Sequence, residues 1–175
     1  VERAVSLGRF PHLAPLARGT LEDSSAITRA MEIAGVVDLR QRRVDQISGG
    51  ECMRVHLARV LAGEHLAIIA DEPTTSLDPK YQLHFLSVLE QQAARGSAIV
   101  VSLHDLSLVS RFCHRVVVLQ NGKTVAVDTP ERALNDTTLA KVFEVRAERL
   151  SSTKGTSIVP TELLVSFNSD NDINQ

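Results

Sequence analysis

Five apolar residues, Leu66-Ala67-Ile68-Ile69-Ala70, run straight into Asp71-Glu72-Pro73. An unbroken apolar run of that length suits a strand buried on both faces, the usual situation in a parallel sheet. Ligands of such sheets collect outside the carboxyl ends of the strands. Two adjacent acids at that place are therefore candidates for chemistry: Asp71 to hold a divalent cation through water, and Glu72 to polarise an attacking water as general base. The bland alternative is a solvated loop acid followed by a proline stop.

The surrounding pattern supports the parallel sheet. From about Ser48 to Val145 helices and strands alternate, as crossover connections require. Strands are expected at Leu66 to Asp71, Ala98 to Leu103, Arg115 to Leu119 and Lys123 to Asp128, and helices at Gly49 to Ala62, Pro79 to Ala94 and Asp105 to Cys113. Shorter helices begin near Pro130 and Thr137. From Val1 to about Arg43 the pattern is helical but interrupted. Val1 to Leu7 is a short amphipathic piece, Pro11 and Pro15 break it, and Ser24 or Ser25 can cap a helix running to Gly35. Beyond Leu150 the composition shifts to Ser, Thr, Asn and Asp around a small apolar patch at Ile158-Val159 and Leu163 to Val165. That tail reads as poorly ordered or loosely docked. The expected organisation is a partial helical subdomain over 1–47, an α/β core over 48–150 and a polar tail over 151–175.

Ser48-Gly49-Gly50-Glu51 opens a helix rich in Arg and Ala. A helix start leaves backbone N–H groups unpaired and carries partial positive charge, and with no side chains at Gly49 and Gly50 a phosphate can approach closely. Ser48 is either the N-cap or a phosphate donor. Asp78 reads as the N-cap of the helix that Pro79 begins. His104 closes the strand Ala98 to Leu103, where a lone imidazole is usually a satisfied structural residue. His12, His56, His65, His84 and His114 carry no assignable context. A phosphate loop of the form G-x-x-x-x-G-K-[ST] is missing from the 175 residues. Gly122-Lys123-Thr124 imitates its end, but Val117 stands where the first glycine should be, and Asn121-Gly122 is instead a hairpin turn between alternating strands.

Taken in order, Ile47-Ser48-Gly49-Gly50-Glu51, Leu66 to Pro73, Ser76-Leu77-Asp78 and Ser102-Leu103-His104-Asp105 resemble the signature, Walker B, D-loop and switch-histidine elements of ABC transporter ATPases. Arg54, Leu57, Ala58 and Arg59 continue the signature, and Glu51 stands where many members carry Gln. The resemblance spans about Val1 to Leu150 and implies the carboxyl-terminal part of an ABC-type P-loop ATPase. It also implies roles. Ser48, Gly49, Gly50 and Glu51 would contact the terminal phosphate of ATP held by an opposite subunit, Asp78 would belong to the D-loop, Asp71 would hold Mg²⁺, Glu72 would be the base, and His104 would hydrogen-bond the terminal phosphate. In the family the adenine-stacking aromatic residue, the phosphate loop and the Q-loop Gln precede the position of Val1. Val5-Ser6-Leu7-Gly8-Arg9-Phe10-Pro11-His12, Arg111 to Leu119 and Asp128-Thr129-Pro130-Glu131 look like the iron-siderophore, heme or cobalamin importer branch.

Bulk properties restrict partners. A formal charge of −2 with mixed signs offers no basic face for nucleic acid. Cys52 and Cys113 build neither a disulfide framework nor a zinc site, and a reducing cytoplasm fits. No apolar stretch approaches the length of a membrane span, and Val1-Glu2-Arg3 has no signal-peptide form. The resemblance thus implies a homodimeric, ATP- and Mg²⁺-dependent import ATPase held peripherally on the inner face of the membrane by permease subunits, and present here as a fragment expected to be inactive alone. Two alternatives stand beside it. One is the terminal lobe of a coiled-coil chromosome or DNA-repair ATPase, which would need heptads before Gln46 where this chain has prolines. The other is a non-catalytic interaction module.

Overall fold

The computed structural model describes residues 1–13, 19–153 and 155–164. Pro15 and Val165 lie outside the described residues. The chain divides into two compact units, Val1–Ser102 and Leu103 onward.

In the first unit, helix α1 (Glu2–Ser6) leads into a 3-10 turn over Leu7–His12 that accommodates Pro11. Helix α2 (Leu21–Ile33) follows, then α3 (Gly49–Ala62), and α3 packs against both α1 and α2. Val5, Ala30, Met31, Leu57 and Ala58 are buried in this helical part. Gly8 sets the closeness of approach: a Cβ there would lie 2.0 Å from the Arg59 carbonyl oxygen, so no other residue fits without moving backbone.

The N-cap of α2 is Thr20, not Ser24 or Ser25 as the sequence suggests. Thr20 Oγ1 accepts from the Asp23 amide at 3.2 Å, and the Asp23 carboxylate accepts from the Thr20 amide and hydroxyl, a reciprocal capping box. Ser24 and Ser25 instead donate to the carbonyls of Thr20 and Leu21. The choice is reinforced at long range. Arg9 is 5% exposed and donates to Asp23 at 2.8 Å, to the Ala62 carbonyl at 2.9 Å and to Glu64 at 2.7 Å, tying the 3-10 turn to α2 and to the end of α3. Removing one partner of a buried ion pair strands the other, so Arg9→Ala should destabilise the chain by about 3–5 kcal/mol, measured by urea unfolding. The Thr20 amide, and after it Arg9, hold the Asp23 carboxyl down at about 2. A depressed carboxyl stabilises fully above its ordinary value of 3.8, and that contribution should fade as pH falls through about 2.

Strand β1 (Ala67–Ala70) pairs in parallel with β2 (Ala98–Val101), and helix α4 (Pro79–Ala94) makes the crossover and packs on β2. The expectation that the first strand is buried on both faces is met on one face only. Ile68 is 7% exposed, whereas Ile69 is 83% exposed and Val100 63%. Two strands with a helix on one side leave the opposite apolar face open.

The second unit begins with helix α5 (Leu106–Phe112), capped by Asp105, whose carboxylate accepts from the amides of Ser107 and Leu108. Strands β3 (Val116–Gln120) and β4 (Lys123–Asp128) form an antiparallel hairpin. Asn121 at φ 51° and Gly122 at φ 72° make the two-residue turn between them, which explains why Gly122-Lys123-Thr124 is no phosphate loop. Short helices α6 (Pro130–Ala133) and α7 (Asp136–Thr138) and a π-helical turn (Leu139–Phe143) follow.

The reading of the chain beyond Leu150 as poorly ordered or loosely docked is corrected over much of its length. Strands β5 (Val145–Ser152) and β6 (Gly155–Leu163) form an antiparallel hairpin. Ile158 is fully buried with Leu106, Val109, Val118 and Leu134, and the Ser107 and Ser110 hydroxyls bond its carbonyl and amide. One well-placed apolar residue and two hydroxyls dock a segment whose composition is mostly polar.

Candidate functional site

Three pieces of the first unit and one residue of the second supply the candidate residues. At the start of α3, Ser48 is the N-cap in extended conformation, and its hydroxyl accepts from the Glu51 amide at 3.2 Å. Glu51 returns the bond, accepting from the Ser48 amide at 2.8 Å. That bond to the Ser48 backbone, and next the Ser48 side chain, hold the Glu51 carboxyl below its ordinary range. The open question of cap against donor therefore has a structural answer for the free chain: Ser48 caps. Its hydroxyl proton is not consumed by accepting a bond, so donation to an incoming anion stays chemically possible.

The two glycines differ. A Cβ at Gly49 would meet nothing within 4 Å, whereas one at Gly50 would lie 3.3 Å from the Ser76 carbonyl and 3.7 Å from Leu77. Gly50 thus brings the helix start against the Ser76-Leu77 loop, while the surface over Gly49 stays open. One turn further along α3, Arg54 is buried, its guanidinium lies 4.1 Å over the Tyr81 ring and it donates to the Gly35 carbonyl at 2.6 Å. This links α3 to α4 as well as to the helical part.

Asp71 and Glu72 follow β1 directly and are exposed. Glu72 adopts φ 44°, a left-handed conformation costing on the order of 1 kcal/mol for a residue with a side chain. Its amide donates to the Ser102 hydroxyl at 2.8 Å, and that hydroxyl donates to Asp71 Oδ1 at 2.5 Å. Thr75 Oγ1 reaches Glu72 Oε2 at 3.4 Å. The loop then closes on Asp78, which accepts from the Tyr81 amide at 3.1 Å and caps α4 above Pro79. Gln82 donates to the Thr74 carbonyl at 3.1 Å.

The structure therefore brings the α3 start, through Gly50, against Ser76 and Leu77 of the loop that runs from Glu72 to Asp78. His104 belongs to the second unit, where it is exposed and immediately precedes the α5 cap. Ser102 and Thr75 touch the acidic pair and were not legible as site residues. The sign available for Ser102 was a hydroxyl breaking an apolar strand; its meaning appears only once the parallel register sets Ala70 against Val101, and so Asp71 level with Ser102. Among the described residues no group of three or more His, Cys, Asp or Glu side chains could enclose a metal ion. An exposed carboxylate at a strand end suits Mg²⁺, which takes one or two carboxylates and keeps its remaining positions for water and phosphate.

A parallel strand pair with a crossover helix, acids at the strand end and a capped glycine pair on an adjoining helix define an ABC-type ATPase cassette fold. The ATP-binding cassette MJ0796, in a dimeric post-hydrolysis state bound to ADP and Pi, superposes with a TM-score of 0.63 at 25% identity, covering 73% of this chain and 56% of that one. Residues 3–75 match the ABC transporter family model. The chain carries part of an ABC transporter ATP-binding domain. The hemin import ATP-binding protein HmuV of Pseudomonas entomophila (strain L48) is 41% identical over 150 residues, which are 83% of this chain and 57% of that protein. The ferric enterobactin transport ATP-binding protein FepC of Escherichia coli (strain K12) is 34% identical over 147 residues, 83% of this chain and 54% of that protein. The chain thus spans about half the length of the curated relatives it matches.

Proposed function

We propose that this chain is the signature-bearing part of the ATP-hydrolysing subunit of an importer for heme, iron-siderophore or cobalamin-type compounds. The observation that carries the reading is the acidic pair Asp71-Glu72 fixed at the end of β1, in one loop system with the start of α3. Similarity to proteins named for hemin and ferric enterobactin supports the substrate class. The similarity to a dimeric cassette supports a second ATPase subunit as partner. Membership of the ABC transporter family supports permease subunits that hold the pair at the inner face of the membrane. Among the described residues no helix is long and apolar enough to cross a membrane.

In this reading Glu72 takes the proton of the attacking water, and Asp71 holds Mg²⁺ through water, the ion supplying charge neutralisation on the phosphates when bound. The α3 start directs its unpaired amides, with Gly49 unobstructed, toward the terminal phosphate bound by the opposite subunit. Asp78 keeps the D-loop in register with that helix, and His104 hydrogen-bonds the terminal phosphate. The open apolar face of β1 and β2, with Ile69 and Val100, receives the remaining layers of the ATPase core.

A phosphate loop supplies most of the charge-stabilising donors in phosphoryl transfer, and these 175 residues contain none. Calorimetric titration of the 175-residue chain with ATP and Mg²⁺ should therefore show very weak binding and no steady phosphate release. Joining the chain to the phosphate-loop half of such an ATPase should restore both. Micromolar binding by the 175 residues alone, or a joined protein without Mg²⁺-dependent hydrolysis, would refute the proposal.

A further inference from the structure

We infer that Ser102 is a positioning residue whose single hydroxyl holds both acids of the Asp71-Glu72 pair, an inference that rests on the ATPase reading above. The backbone places it first. β2 is apolar from Ala98 to Val101, and the parallel register that pairs Ala70 with Val101 continues through a bond from the Ser102 amide to the Ala70 carbonyl at 3.0 Å. With its Cα anchored on the neighbouring strand, only χ1 and the hydroxyl rotor remain to be set.

Both capacities of the hydroxyl are then used. Its proton goes to Asp71 Oδ1 at 2.5 Å, and its lone pair receives the Glu72 amide at 2.8 Å. The first bond restrains the Asp71 carboxylate through Oδ1 and leaves lone pairs on both of its oxygens for water. The second fixes the peptide entering Glu72, where the chain turns left-handed at φ 44°. A non-glycine residue in that region persists only where its surroundings hold it. Without the hydroxyl, the Glu72 amide loses this anchor at the point where the chain turns left-handed, and the turn that sets its carboxylate is held less firmly. Valine would continue the apolar run of β2 and satisfy strand preference equally well, so packing and propensity give no reason for serine here.

A displacement of about 1 Å in a reacting group can lower turnover on the order of 10²-fold. In the intact ATPase subunit, Ser102→Val should lower turnover by about that factor and raise the Mg²⁺ concentration needed for half-maximal rate, with the KM for ATP unchanged. Ser102→Thr, which keeps the hydroxyl, should restore both. In the 175-residue chain the Glu72 amide should exchange its hydrogen about 10-fold faster in Ser102→Val than in the native sequence, the loss of one hydrogen bond, and return to the native rate in Ser102→Thr. Native-like turnover and Mg²⁺ dependence in Ser102→Val would overturn the inference alone. So would loss of activity in Ser102→Val with unchanged Glu72 exchange, or failure of Ser102→Thr to rescue. If the native intact subunit lacks Mg²⁺-dependent hydrolysis, the ATPase reading itself fails.

Discussion

In an intact subunit containing this segment, Glu72→Gln should abolish ATP turnover and leave ATP binding and dimer closure in place. The amide keeps the shape of the side chain and an oxygen for the Thr75 hydroxyl, and it leaves untouched the backbone bond to Ser102 that holds the left-handed turn. What it cannot do is accept the proton of water. Loss of a general base typically lowers the rate about 10²–10⁴-fold, and product release, which reopens the dimer, then has nothing to follow. ATP-bound dimers should accumulate and be visible by size-exclusion chromatography. If the mutant remains monomeric with ATP while the unmutated enzyme dimerises, Glu72 is not the base.

The helix starts nearest the site were legible because their determinants are local. Ser48 with Glu51 three residues on, and Asp78 with Pro79, each specify a start within one turn, and α3 and α4 begin where those residues dictate. The Asn121-Gly122 turn is local in the same sense. Where the determinant lies far along the chain, local reading fails. Ser24 and Ser25 are the hydroxyl caps expected on paper, yet Thr20 takes the role, and Arg9 helps to fix it there through Asp23, which bonds Thr20. Strand β6 is hidden in polar composition because its docking depends on Ile158 meeting a core built from α5, β3 and α6. Ser102 is invisible for a related reason: its partners are 30 and 31 residues away and are brought level with it only by the strand register. The acids themselves were conspicuous; the group that orients them was not.

Ser48→Arg should block ATP-driven closure and hydrolysis in the intact subunit without weakening ATP binding to the open monomer. The surface over Gly49 is open, and the proposed phosphate arrives there from the opposite subunit, so a long side chain at Ser48 obstructs the joint between subunits and not the pocket of its own. Loss of a single charge-stabilising donor typically lowers rates on the order of 10²–10³-fold, and a steric block should do at least as much. The substitution also removes the N-cap, which costs about 1 kcal/mol, so Ser48→Gly serves as the companion variant. Glycine replaces serine at an N-cap at little cost and has no side-chain donor, so if capping alone mattered it would behave nearly as native, whereas removal of the hydroxyl donor should still slow turnover. Mixing Ser48→Arg with a subunit disabled in its phosphate loop separates the two geometries. In the mixed dimer both lesions fall on one composite site and leave the other whole, so two inactive parents should yield partial activity, provided one intact site turns over. Weakened ATP binding by the Ser48→Arg monomer would place Ser48 in its own subunit's pocket and overturn the arrangement in trans.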